Sequence, residues 1–189
     1  MERTRLLSTG IYLPENIVTN DDLAKTIDTN DQWIKERTGI SQRRIASPDK
    51  GEFPSEMAAR ASKMAIEKAG LEPNDIDCIL FATCTPDYKL PNTATILQTK
   101  LGITNQCACV DLLAACSGFV YGFNMADSFI KTGMHKHVLV VGSEMLSSIT
   151  DWQDRKTCIL FGDACAVGIL GPSKADESSE VLSSVLSAD

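Results

Sequence analysis

The chain has 189 residues, of which 43% are hydrophobic and 23% charged, a composition typical of a soluble globular protein with a buried core. Eighteen lysines and arginines against 25 aspartates and glutamates give a net charge of −7. This sign argues against nucleic acid or an anionic membrane as a general partner. The longest apolar stretch, around Val138 to Val141, is too short to span a membrane.

The cysteine and histidine pattern indicates the compartment and argues against a metal site. Seven cysteines without framework spacing, and an N-terminus without signal-peptide features, predict a cytoplasmic, reducing location. The chain has no Cys-x-x-Cys pair, and its two histidines are His135 and His137. We therefore expect no zinc or other metal site. We interpret both histidines as surface residues of a loop between a helix and a strand.

The first 70 residues read as one strand followed by helices with clear end signals. Residues 4–13 form a strand pattern, and Asn20 is predicted to cap a short helix. Asn30 caps a second helix that Gly39 stops. A longer helix opens at Pro54 and ends at Gly70, with an apolar face built from Met57, Ala61, Met64 and Ala65.

Beyond residue 70, apolar runs of strand length alternate with helical segments. The pattern predicts strands at 76–84, 107–113, 138–143 and 164–170, and helices at 91–101 and 117–132. Strands joined by such helices imply a mainly parallel sheet in an α/β fold with helices on both faces. A polar loop at 171–180 and a strand at 181–186 follow, and we expect the remainder of this layer to be missing from the chain.

Cys116 is the candidate nucleophile. It falls between the strand ending near Leu113 and the helix beginning near Ser117, where unpaired N–H groups and the helix dipole favour a thiolate and an oxyanion. The small neighbours Ala115 and Gly118 allow a ligand to approach the backbone. The alternative is a buried structural cysteine, which is our interpretation of the other six.

Five stretches of the chain resemble one enzyme family. Residues 111–119 (DLLAACSGF) resemble the active-site segment of the β-ketoacyl-acyl carrier protein synthase III family, which initiates type II fatty-acid synthesis. Four further segments agree in order, namely 10–14 (GIYLP), 28–40 (DTNDQWIKERTGI), 140–144 (VVGSE) and 161–163 (FGD). The resemblance implies a thiolase-like fold made of two α/β halves, with residues 1–189 as the N-terminal half. The family's catalytic histidine and asparagine then belong to the C-terminal half, which is absent from this chain.

The resemblance also assigns a coenzyme A site. Trp33 and Arg37 lie one helical turn apart, and spacing alone favours an ordinary cation–π surface pair. By resemblance, these two residues clamp the adenine of coenzyme A, and Thr29 and Arg155 are neighbouring contacts. An arginine on an acidic chain also suits a phosphate or adenine partner.

Four residues are implied in the acyl pocket. By resemblance, Leu146 and Phe161 line the pocket beside the nucleophile, and Cys84 replaces a threonine that is common there. Leu90 matches a position that reaches the acyl pocket of the partner subunit in a homodimer. Ala164 departs from a glycine that family members often carry, which leaves the pocket shape open.

The implied reaction is an acyl transfer followed by a condensation. A short acyl-coenzyme A acylates Cys116, and malonyl-acyl carrier protein then condenses with the acyl group, with no cofactor besides the coenzyme A thioester substrate. Full activity needs the C-terminal half. Two alternatives remain: an inactive dimerisation fragment, and a related coenzyme A-dependent acyltransferase of the thiolase superfamily, such as an alkylquinolone or hydroxymethylglutaryl-type synthase.

Overall fold

The computed structural model describes residues 3–173 and 179–187. In this part of the chain, strands β1 to β7 span Thr4–Tyr12, Ile17–Thr19, Gln42–Arg44, Cys78–Ala82, Ala108–Leu112, Val138–Met145 and Asp163–Pro172. Helices α1 to α5 span Asn20–Leu23, Asp31–Thr38, Pro54–Ala69, Thr93–Leu101 and Gly118–Lys131.

The main sheet has five strands in the order β1-β7-β6-β4-β5, and it is mixed. Strand β4 runs parallel to β5 and β6, whereas β7 is antiparallel to both β6 and β1. The prediction of a mainly parallel sheet is therefore wrong for half of the strand pairs. Between β6 and β7 the structure forms only the 3₁₀ turn Leu146–Ser148 and no α-helix, so β7 returns antiparallel instead of crossing over.

The helix ends follow the sequence signals closely. The Asn30 side chain accepts a hydrogen bond from the Trp33 backbone N–H at 2.8 Å, and Gly39 ends α2 with a φ of 74°. The short helix α1 is the exception, because Thr19 rather than Asn20 caps it. Asn20 is instead buried in its first turn, where its amide donates to the Ile40 carbonyl oxygen at 2.7 Å.

Helices cover both faces of the main sheet, as predicted. Alternate residues of β4 point to opposite faces: Ile79 and Phe81 pack toward α3 and α4, while Cys78 and Leu80 pack toward α5. The predicted apolar face of α3 is confirmed at Met57, Ala61 and Ala65, which are fully buried, but Met64 is 39% exposed.

The segment at the end of the described chain is not a strand. Residues 181–187 have no regular secondary structure, contrary to the prediction for 181–186. Leu182 and Val185 are 85% and 87% exposed, so these apolar side chains pack against no sheet in the described residues. The predicted polar loop begins later than expected because β7 runs to Pro172, and residues 174–178 of that loop lie outside the described residues.

Candidate active site

Cys116 lies in a tight turn between β5 and α5. It is the middle residue of the 3₁₀ turn Ala115–Ser117, and it is exposed. Ala115 has a φ of 45°, a left-handed conformation that costs a non-glycine residue about 1–3 kcal/mol. The Ser117 backbone N–H and hydroxyl both donate to the Ala114 carbonyl oxygen, at 3.2 and 2.8 Å. This turn places the thiol two residues before Gly118, the first residue of α5.

Two glycines bring α5 close to the sheet beneath it. A Cβ atom on Gly118 would lie 2.9 Å from the Ala82 Cβ, and one on Gly122 would lie 3.0 Å from the Val140 Cγ1. The first distance is shorter than Cβ atoms tolerate, so Gly118 is required for this packing, whereas a side chain at Gly122 would need Val140 to shift. The start of α5 is thereby held against the carboxyl end of β4.

A cavity of about 430 Å³ opens beside Cys116. Four residues assigned by sequence line it together: Cys116, Cys84, Leu146 and Phe161. The rest of its wall consists of Ala82, Ala115, Phe119, Gly142, Glu144 and Ile149. Glu144 is the only charged side chain in this lining, so the cavity suits a short apolar group attached to the thiol.

Glu144 organises the wall that carries Cys84. One carboxylate oxygen accepts the Cys84 backbone N–H at 2.7 Å, and the other accepts the Thr85 hydroxyl at 2.6 Å. Burial raises the pKa of the Cys84 thiol, and the nearby Glu144 carboxylate raises it further. Sequence reasoning quoted Glu144 within a motif but gave it no role, because its partners are about 60 residues away along the chain.

Asp163 holds the opposite wall in place. Its carboxylate accepts hydrogen bonds from the Ser147 N–H at 2.8 Å, the Ser147 hydroxyl at 2.6 Å and the Ala46 N–H at 2.7 Å. These bonds tie the turn containing Leu146 to the segment containing Phe161. Asp163 is thus a positioning residue for the pocket, a role the sequence analysis missed.

The four residues assigned to coenzyme A lie near one another at a second location. The guanidinium carbons of Arg37 and Arg155 lie 4.2 and 4.5 Å from the centre of the Trp33 ring. Arg155 also pairs with Asp28 at 3.1 Å. Thr29 follows directly, and its buried hydroxyl has no hydrogen-bond partner within the described part of the chain.

A further cavity of about 300 Å³ extends from the pocket toward this cluster. It shares Leu146, Ile149 and Phe161 with the pocket beside Cys116. Its far side is lined by Thr157, two residues after Arg155. The two cavities are therefore adjacent, and Thr157 places the second one close along the chain to Arg155, which stacks on Trp33.

Three predicted features lie elsewhere. Leu90 is 86% exposed and is not among the residues lining the pocket of its own chain. The surface assignment of the histidines is wrong: His137 is buried, with Nδ1 3.1 Å from the Asp75 carbonyl oxygen, and His135 is half-buried. Both precede β6, whereas Gly142 and Glu144 of the pocket lie near its carboxyl end.

The described residues contain no group of three or more histidine, cysteine, aspartate or glutamate side chains that could hold a metal ion. The same residues contain no helix with the length and hydropathy that crossing a membrane requires.

Comparison with known proteins agrees with this geometry. A family model described as 3-oxoacyl-[acyl-carrier-protein] synthase III matches residues 110–189. The β-ketoacyl-[acyl-carrier-protein] synthase III of Thiobacillus denitrificans is 55% identical over 173 residues, which are 92% of this chain and 54% of that protein. The chain belongs to the β-ketoacyl-[acyl-carrier-protein] synthase III family.

Other members of the β-ketoacyl-[acyl-carrier-protein] synthase III family extend the match. The Ehrlichia canis protein of the same name is 49% identical over 189 residues, all of this chain and 58% of that protein. The crystal structure of 3-oxoacyl-[acyl-carrier-protein] synthase III from Aquifex aeolicus VF5 superposes with a TM-score of 0.87 at 47% identity, covering 90% of this chain and 54% of that one. The predicted α/β, thiolase-like fold is confirmed. The chain spans about half the length of these relatives.

Proposed function

We propose that this chain carries the nucleophile of a condensing enzyme, with Cys116 accepting an acyl group from a short acyl-coenzyme A. The observation that supports this most directly is the position of Cys116 at the start of α5, facing an apolar cavity. The names of the relatives favour this role over a non-catalytic dimerisation fragment or another coenzyme A-dependent acyltransferase.

In the first step the Cys116 sulfur attacks the thioester carbonyl carbon. A carbon–sulfur bond to Cys116 forms, the bond to the coenzyme A sulfur breaks, and coenzyme A leaves as its thiol. The positive end of the α5 dipole stabilises the negative charge that develops on the carbonyl oxygen. The acyl chain then occupies the cavity bounded by Cys84, Leu146 and Phe161.

Coenzyme A is proposed to bind along the path between the two sites. Trp33 and the two arginines at its ring offer planar groups for stacking on adenine and positive charge for phosphate. Thr29, whose buried hydroxyl has no hydrogen-bond partner in the described residues, adjoins Asp28, the partner of Arg155, and is a proposed further contact of the ligand. The cavity lined by Thr157 leads the pantetheine arm from there to Cys116.

In the second step malonyl-acyl carrier protein is the proposed substrate. Loss of carbon dioxide leaves a carbanion equivalent, which attacks the acyl carbonyl; the bond to Cys116 breaks and a β-ketoacyl product leaves. Neither histidine of this chain lines the pocket. We therefore assign the groups that hold the malonyl thioester to the C-terminal half of the enzyme, with residues 1–189 as the N-terminal half.

The proposal also includes a second subunit and a cellular location. Leu90, exposed on its own chain, is proposed to reach the acyl pocket of a second subunit in a homodimer. All seven cysteines are free thiols, which supports a reducing, cytoplasmic location.

Incubation of the reduced 189-residue chain with acetyl-coenzyme A tests the first step. We expect peptide mass spectrometry to find one acetyl group, on Cys116. Cys116→Ala should abolish the adduct, whereas Cys109→Ser, which changes a thiol outside the pocket, should retain it. Acetylation of another cysteine with none on Cys116 would contradict the proposal.

A further inference from the structure

Two thiols, not one, face the cavity beside the nucleophile. Cys84 and Cys116 both line it, and both are free. They follow neighbouring parallel strands, in which Ala82 of β4 pairs with Leu112 of β5. Cys84 comes two residues after the first of these partners and Cys116 four residues after the second. Both sulfurs therefore lie beyond the carboxyl ends of these two strands, beside the same cavity.

Packing at this end of the sheet draws the two segments together. Gly118 approaches Ala82 so closely that an added Cβ would lie 2.9 Å from the Ala82 Cβ. Ala115, the residue directly before Cys116, lines the same cavity as Cys84. Glu144 fixes the backbone of Cys84 from the other side, at 2.7 Å from its N–H.

We propose that Cys84 and Cys116 form a reversible disulfide when the protein meets a peroxide, and that this bond closes the site. The formation of the bond is independent of the enzyme's reaction. Its consequence, protection and silencing of the nucleophile, rests on the function proposed above.

The chemistry assigns a different part to each thiol. Cys116 is exposed and meets the oxidant first: its thiolate attacks hydrogen peroxide, forming a sulfenic acid and releasing hydroxide. The Cys84 sulfur then attacks the sulfenic sulfur, the S–S bond forms, and the departing hydroxide takes the Cys84 proton as water. Two thiols are oxidised and one peroxide is reduced to water; a small thiol reductant reverses the change.

The remaining cysteines are placed differently. Cys78, Cys158 and Cys165 are buried and Cys107 is half-buried, and the described lining of the cavity contains none of these four. Cys109 lies in β5 with its sulfur 3.6 Å from the Gln98 side-chain oxygen, outside the cavity. It provides a matched control thiol on the same strand that leads to Cys116.

The test treats the reduced 189-residue chain with hydrogen peroxide, followed by digestion under non-reducing conditions and mass spectrometry. We expect a Cys84–Cys116 cross-linked peptide, loss of iodoacetamide labelling at Cys116, and return of both free thiols after dithiothreitol. Cys84→Ser should give no cross-link, and Cys116 should instead be trapped by dimedone as its sulfenic acid. Cys109→Ser should behave like the unaltered chain.

Either of two results would overturn the proposal: dimedone labelling of Cys116 in the unaltered chain equal to that in Cys84→Ser, or a cross-link from Cys116 to any other cysteine. No acyl donor enters this assay. A failure of acyl transfer therefore leaves the disulfide result intact, and a missing disulfide leaves the acetylation of Cys116 unaffected.

Discussion

The two faces of the central sheet differ in how completely the helices packed on them are buried. Helix α3, on one face, has nine buried residues among its 16, and its Met57 is fully enclosed. Helix α5, on the other face, has five buried among 14, and its Val120 remains 53% exposed. One face is a closed hydrophobic core, whereas the other leaves apolar surface and the Cys116 thiol exposed.

The same contrast separates two adjacent strands. All five residues of β4 are buried, while none of the five residues of β5 is fully buried. Cys116 follows β5, the less enclosed of the two. The buried core therefore lies mainly on the α3 side, and the proposed active site lies where burial is incomplete, beside β5 and α5.

The strongest test of this contrast is a pair of truncations. Met57→Ala should lower the free energy of unfolding by about 2–5 kcal/mol, because it leaves a cavity in a closed core. Val120→Ala, on the open face, should change it by only about 0.5 kcal/mol or less. Chemical denaturation of both variants measures the difference, and equal losses would refute the division into a closed and an open face.

A glycine substitution probes how α5 is seated. Gly118→Ala should cost about 1–3 kcal/mol, because the new methyl group presses against Ala82 and pushes the helix outward. Cys116, two residues earlier, should then be acetylated more slowly by acetyl-coenzyme A. Ser128→Ala, an exposed change on the same helix, is the control and should leave both measurements near those of the parent chain. An unaltered acetylation rate in Gly118→Ala would show that the close seating is dispensable.

Removal of the Trp33 ring tests the proposed coenzyme A site. Trp33→Ala should weaken acetyl-coenzyme A binding by about 1 kcal/mol, because it removes the ring on which two guanidinium groups stack. The acetylation rate at saturating substrate should stay the same. Lys35→Ala, on the same helix but paired with Asp31, serves as the control in a binding titration. A lower saturating rate with unchanged affinity would count against a coenzyme A role for Trp33.

The smallest expected effect concerns the ion pair between Glu56 of α3 and Lys100 of α4. Lys100 lowers the pKa of Glu56, with Arg60 adding to the effect. Because the folded pKa is lower than the unfolded one, the contact stabilises above the unfolded value of about 4.3, and this contribution disappears as pH falls through the folded pKa. Glu56→Gln should therefore cost at most about 1 kcal/mol at neutral pH and nothing at low pH.

Measuring the free energy of unfolding of Glu56→Gln at several pH values distinguishes an effect of charge from an effect of packing. Glu67→Gln, an exposed change on the same helix, is the matched control. A loss for Glu56→Gln that persists undiminished in acid would mean that the side chain acts through packing alone.

Local signals in the sequence predicted most elements, since the residues that start and stop them act on their own neighbours. Asn30 and Gly39 define α2 as expected, because capping and left-handed geometry are properties of single positions. The direction of β7 was not predictable in this way. An apolar run has the same pattern in either direction, and only its pairing with β6 and β1 decides the orientation.

The same distinction between local and distant interactions applies to the residues of the candidate site. Cys116 was predicted from its position between a strand and a helix, and the stacking pair Trp33 and Arg37 from helical spacing. Glu144 and Asp163 received no role, because their hydrogen-bond partners are distant in sequence and meet them only in the folded chain. Residue type alone does not distinguish such carboxylates from exposed ones.

The pairing of β1 with β7 has a consequence for how the chain is made. Thr4 at the start of β1 lies opposite Pro172 at the end of β7. During translation the N-terminal strand leaves the ribosome long before its hydrogen-bonding partner has been synthesised. Contacts so distant along the chain also form slowly, because a long loop must be closed first. Strand β1, made before the other strands of this sheet, is therefore among the last of them to be paired, and until then its unpaired edge is available to chaperones and to other nascent chains.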